Sequence, residues 1–90
     1  MELKKYCLEL KYRQELICPI GTKFLSVEIQ NSNIYLWAFV DSYAIDYLFP
    51  TKKYTIYLIE KSKHIEGDSG KYIFTIRKDD TNLYLFIKEY

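Results

Sequence analysis

Apolar and polar residues alternate along most of this chain. Lys23 to Gln30 sets Leu25, Val27 and Ile29 against Ser26, Glu28 and Gln30, the period of a strand with one wet face. Leu3 to Leu10 places Tyr6, Leu8 and Leu10 on one side. The rhythm returns in Tyr72 to Arg77 and in Asn82 to Glu89, where tyrosine, phenylalanine and isoleucine recur. Such residues suit a pleated, half-buried surface. Two runs, Ile34 to Val40 and Tyr54 to Glu60, are apolar on both faces, which predicts central strands covered on both sides.

The breaks fall where turn chemistry puts them. Residues 11–22 read as a polar connection ending in Cys18-Pro19-Ile20-Gly21-Thr22, where proline removes a ladder donor and glycine permits positive φ. Asn31-Ser32-Asn33 and Lys78-Asp79-Asp80-Thr81 read as hairpin turns. Asp41 to Pro50 has room for one helical turn before the proline, and Lys61 to Gly70 is a polar loop. The expectation is an all-β fold of about six antiparallel strands, in a small sandwich or half-open barrel with at most one short helix. Residues 1–90 form a single β domain.

Composition sharpens this picture. Ten tyrosines in 90 residues give more aromatic surface than so small a core needs. A chain of this size buries only about 60–65 % of the surface it exposes when unfolded. A homo-oligomer, most simply a two-fold dimer, is therefore expected. Thirteen basic and 12 acidic residues leave a net charge of +1, which argues against extended nucleic-acid binding. Cys7 and Cys18 make no disulfide framework, Met1 to Lys5 lacks the apolar segment of a signal peptide, and no apolar run approaches the ~20 residues of a membrane span. These features lead us to expect a reduced, soluble protein of the cytoplasm.

Little in the sequence points to a reaction. His64 is the only histidine, and the carboxylates near it, Glu60, Glu66 and Asp68, lie in or beside the polar loop. A solvated loop histidine is the simpler reading than an acid/base pair. Neither cysteine sits in a catalytic signature that would pair it with His64. There is no Cys-x-x-Cys or second histidine for zinc. Asp79, Asp80 and Asn82 are too few oxygen ligands for a Ca²⁺ loop. Gly67-Asp68-Ser69-Gly70 lacks the Lys-Ser/Thr of a P-loop. No catalytic residue, metal or cofactor is assigned, and the chain is expected not to be an enzyme.

Binding surfaces are easier to find. Lys61, Lys63 and His64, with Tyr54 and Tyr72 at the base of their loop, form a candidate surface for a small anionic ligand, using cations and a stacking ring. A strand edge guarded by lysines is the alternative. Tyr35, Trp37 and Phe39 share one face of their strand, opposite Leu36 and Ala38. They form a candidate interface, with an ordinary core tryptophan as the alternative.

The order Lys5-Tyr6-x-Leu8, Pro19-x-Gly21-x-Lys23-x-Leu25-Ser26-Val27-x-Ile29-Gln30 and Leu36-Trp37-Ala38-Phe39-Val40-Asp41 resembles a family of short domains of unknown function encoded by phages and prophages. The resemblance continues through Tyr72-Ile73 and Leu83-Tyr84-Leu85-Phe86-Ile87-Lys88-Glu89 and covers nearly the whole chain. That family usually carries a Gly-Thr-Gly-His-like segment after its fourth strand. Here Glu60-Lys61-Ser62-Lys63-His64-Ile65 keeps the histidine and loses both glycines. The resemblance implies an all-β fold and an accessory role in the host cytoplasm. The role it suggests is binding and inactivating a host antiviral defence component, either a defence protein or a nucleotide immune signal. A small virion or assembly protein is the alternative, and a small hydrolase working through His64 the third.

Overall fold

The computed structural model describes residues 1–41, 50–60 and 70–89. Seven strands occupy them: β1 Glu2–Leu8, β2 Arg13–Pro19, β3 Lys23–Gln30, β4 Asn33–Val40, β5 Thr51–Glu60, β6 Lys71–Lys78 and β7 Thr81–Glu89. They form two antiparallel sheets, ordered β1-β4-β3 and β2-β5-β7-β6. The architecture is the sandwich, not a closed barrel. The segment expected to allow a helical turn, residues 42–49, lies outside the described residues.

The expected connection at 11–22 contains an additional strand, β2. It pairs with β5 from Arg13 opposite Tyr57 to Pro19 opposite Thr51. As an edge strand it needs only one apolar side, and Leu16 and Cys18 provide it. Gln14 braces the corner by which the chain passes from β1 to β2. Its amide accepts from the Glu9 N–H at 2.9 Å and donates to the Glu9 carbonyl at 2.8 Å, as a neighbouring strand would. The return from β2 to β3 is a tight turn. Thr22 N–H reaches the Pro19 carbonyl at 3.2 Å, and Gly21 supplies the φ of +86° that the turn requires.

Both predicted hairpins form. Asn31 and Ser32 join β3 to β4, and Asp79 and Asp80 join β6 to β7, all four with φ between 50° and 69°. Two consecutive left-handed residues make the type I′ turn that matches strand twist.

Ile34, Leu36, Val27 and Leu8 from the first sheet meet Tyr54, Ile56, Leu58, Leu83, Leu85, Ile87 and Ile76 from the second. This apolar layer is the main stabilising term. Polar atoms intrude at two points. The Tyr6 hydroxyl is buried without a conventional hydrogen bond. Burial, with the neighbouring Cys18 thiol, holds its pKa far above the ordinary tyrosine value. Thr55 is wholly buried on the side of β5 that faces away from the core, and its hydroxyl has no partner. The two apolar runs thus differ. In β5 both Thr55 and Ile59 on the outward side are buried, whereas in β4 the outward side remains open.

Candidate functional site

β4 is the middle strand of the three-stranded sheet, so alternation fixes its two faces. Ile34, Leu36, Ala38 and Val40 are buried. Tyr35 and Trp37 are half-buried and Phe39 is 38 % exposed, all on the outer face. Register brings Cys7, Lys5 and Leu3 of β1 beside them on one flank, and Glu28, Ser26 and Lys23 of β3 on the other. Of the two readings of Trp37, the core position is therefore corrected. Its ring lies on a sheet surface whose outer side no described strand covers.

The face is ordered by a closed circuit of polar contacts. Trp37 Nε1 donates to Glu28 Oε2 at 2.8 Å, Gln30 Nε2 donates to Glu28 Oε1 at 2.7 Å, and Lys5 Nζ donates to Gln30 Oε1 at 3.2 Å. Lys5 Nζ also stands 4.4 Å from the Tyr35 ring centroid and 5.6 Å from that of Trp37, within cation–π range. The bond from Gln30 holds the Glu28 carboxyl below the usual glutamate range, with help from the Trp37 N–H and the charge of Lys5. The indole and amide donors are thereby satisfied inside the circuit. What remains for a partner is ring surface held in one geometry, the quality expected of an interface anchor.

A second concavity lies between the sheets where β3 packs against β6. It is a cleft of 490 Å³ lined by Phe24, Leu25, Tyr54 and Ile73, with Lys23 and Lys71 among its charged residues. Phe24 and Tyr54 meet edge-to-face at 5.0 Å. Burial raises the Tyr54 hydroxyl, assisted by the Glu89 charge, and the Lys52 ammonium pairs with Glu89 nearby.

The structure separates the residues of the expected small-ligand surface. Tyr54 points into the core and is 6 % exposed. Tyr72 points outward on the other side of the same sheet, packed on Phe86 at 5.8 Å and bonded to Thr75 Oγ1 at 2.6 Å. No single ligand can stack on both. Lys61, Lys63 and His64 lie outside the described residues.

Sequence reading found Tyr35, Trp37 and Phe39 but not their partners Lys5, Glu28 and Gln30. One signal for Glu28 was present. A two-residue turn fixes Gln30 opposite Asn33, and counting back along the hairpin sets Glu28 opposite Tyr35. Lys5 had no such signal, because β1 reaches β4 only through the tertiary fold.

Among the described residues no group of three His, Cys, Asp or Glu side chains is placed to hold a metal ion, and no helix is long and apolar enough to cross a membrane. A family described as a domain of unknown function, DUF7352, matches residues 1–90. No curated protein and no solved structure matches the chain.

Proposed function

The chain belongs to the DUF7352 family of domains of unknown function. On that premise we propose that it is a non-enzymatic phage accessory protein that binds and inactivates a host antiviral defence protein in the host cytoplasm. The observation that carries this reading is the outer face of β4. Tyr35, Trp37 and Phe39 stay partly open to solvent, although Glu28 and Lys5 hold the first two in place. An open aromatic face on a rigid sheet suits a protein surface better than a small molecule, which prefers a concave site. The same face is the natural contact for self-association. The phage setting comes from the sequence resemblance.

A second reading takes a nucleotide immune signal as the target. The inter-sheet cleft favours it, because Lys23 and Lys71 could meet a phosphate while Tyr54 and Phe24 line the wall, the Glu89 carboxylate in the same lining being paired with Lys52.

The test is plating efficiency. A defence-sensitive phage should plate normally on defended cells that express this protein, and should fail on cells expressing Trp37→Ala or Phe39→Asp at equal protein level. Full protection by both variants would overturn the assignment to this face. Protection lost only with Lys23→Glu and Lys71→Glu would transfer it to the cleft.

A further inference from the structure

The irregular features of the described strands gather around the cleft between the sheets. β3 and β6 are edge strands of different sheets that pack against each other. Each carries one register shift, between Phe24 and Ser26 on β3 and between Tyr72 and Phe74 on β6. The residue left out of register is Leu25 in one strand and Ile73 in the other, and both line the cleft. A bulge bends its strand and re-aims a side chain. Two bulges on one cleft leave the sandwich open along this side. The positive-φ glycines, Gly21 and Gly70, stand just ahead of Thr22 and Lys71, which line the same cleft. Tyr54 and Ile87 are its buried walls, whereas Lys23, Leu25 and Lys71 are exposed at its rim.

We propose that this cleft binds a monoanionic amphiphile, an aliphatic chain ending in a single carboxylate. The proposal goes beyond the choice of target above and does not depend on it. The volume of 490 Å³ lies within the roughly 300–1,000 Å³ of ligand sites. Polarity runs one way through the cleft. Lys71 lies opposite Ile87 in register, which turns it toward the space between the sheets, and Lys23 reaches the rim from the start of β3. Among the described lining residues Glu89 is the only carboxylate, and it pairs with Lys52. Thr22 donates its hydroxyl to the Pro19 carbonyl at 2.6 Å. Behind the lysines, Phe24, Tyr54, Ile73 and Ile87 offer apolar wall, broken only by the Tyr54 hydroxyl. An alkyl chain can shed its water against these walls while its carboxylate stays at the lysines, in a charge-assisted contact. A nucleotide fits less well, because the described lining holds no Asn, Gln, Asp or Arg to meet a base edge or a ribose. An inward lysine on an edge strand also deters pairing with other sheets, but that task needs no open apolar space behind it.

The probe is decanoate below its micelle concentration, titrated into the full ¹⁵N-labelled chain. Saturable binding is expected, with the largest shifts at the Phe24, Leu25, Lys71 and Ile73 amides. Affinity should rise about fourfold per methylene from hexanoate to decanoate, as each further CH₂ leaves water. Decanol should bind about tenfold more weakly than decanoate, since it lacks the charge-assisted contact. The double variant Lys23→Gln, Lys71→Gln should erase that preference. Both lysines are exposed, so its melting temperature should match wild type. The proposal is overturned by no saturable binding, by affinity independent of chain length, by equal affinity for decanol and decanoate, or by a preference that survives in the double variant. Shifts confined to Tyr35 and Trp37 also overturn it, since they would place the chain on the open aromatic face. Adenosine monophosphate binding as tightly as decanoate overturns it as well, and returns the cleft to a nucleotide.

Discussion

Glu28 and Trp37 stand diagonally across the β3–β4 hairpin, Glu28 opposite Tyr35 and Trp37 opposite Ser26, yet the carboxylate takes the indole proton at 2.8 Å. The contact couples a titratable group to the only tryptophan in the chain. Emission from Trp37 should therefore be flat at neutral pH and shift as pH falls through the lowered pKa of Glu28. Glu28→Gln should remove that transition. The sign for stability follows. The folded state holds this carboxyl below its unfolded value of about 4.3, so its contribution is present above that value and is lost as pH falls through the folded one. Melting curves of wild type and Glu28→Gln should converge in acid and separate above it.

The two faces of β4 should respond differently to truncation. Leu36 is fully buried, and Leu36→Ala should cost about 2–5 kcal/mol in urea unfolding. Trp37→Ala removes a half-buried ring with one exposed hydrogen bond and should cost less than Leu36→Ala while having the larger effect on binding. Equal destabilisation by the two would place Trp37 in the core after all.

Gly70 and Gly21 both have φ near +90°, so an alanine at either bears the left-handed penalty of about 1–2 kcal/mol. Only at Gly70 would a Cβ also collide with backbone, the Ile87 carbonyl on β7, whereas at Gly21 it meets nothing within 4 Å. Gly70→Ala should therefore lower the melting temperature clearly more than Gly21→Ala. The reverse order in calorimetry would contradict this packing of the β6 entry on β7.

Cys7 is exposed and Cys18 is buried, its thiol pushed up by burial. An aromatic disulfide reagent should titrate one thiol in the native protein and release the second only on unfolding. Cys7→Ser should abolish the fast phase, because thiolate character and access together set reactivity.

Local signals made the hairpins legible. Asn31-Ser32 and Asp79-Asp80 are residue pairs that accept left-handed backbone, and each pins the register of the strands it joins. β2 is hidden because the outward side opens with the charged Arg13 and Glu15 before the exposed Ile17, and its inward set begins with Gln14, whose amide serves the corner at Glu9. Tyr54 and Tyr72 looked like neighbours because their strands flank one loop, but which side of a sheet a residue occupies depends on register. Here register sets them back to back. Trp37 looked enclosed because its whole run is apolar. Only the fold shows that its outer cover is a lysine and a carboxylate on adjoining strands.

The Thr55 hydroxyl, sealed inside β5 without a hydrogen-bond partner, gives the domain an unclaimed margin of stability. Thr55→Val keeps the branched shape and removes the desolvated oxygen, and should stabilise by about 1 kcal/mol, or roughly 4–8 °C in a domain of this size. Thr55 lies on the far side of the sandwich from Trp37, so the gain should add independently to changes made there. Destabilising substitutions needed to re-aim the aromatic face can thus be offset from the opposite sheet, which makes the fold a tolerant frame for altering partner choice.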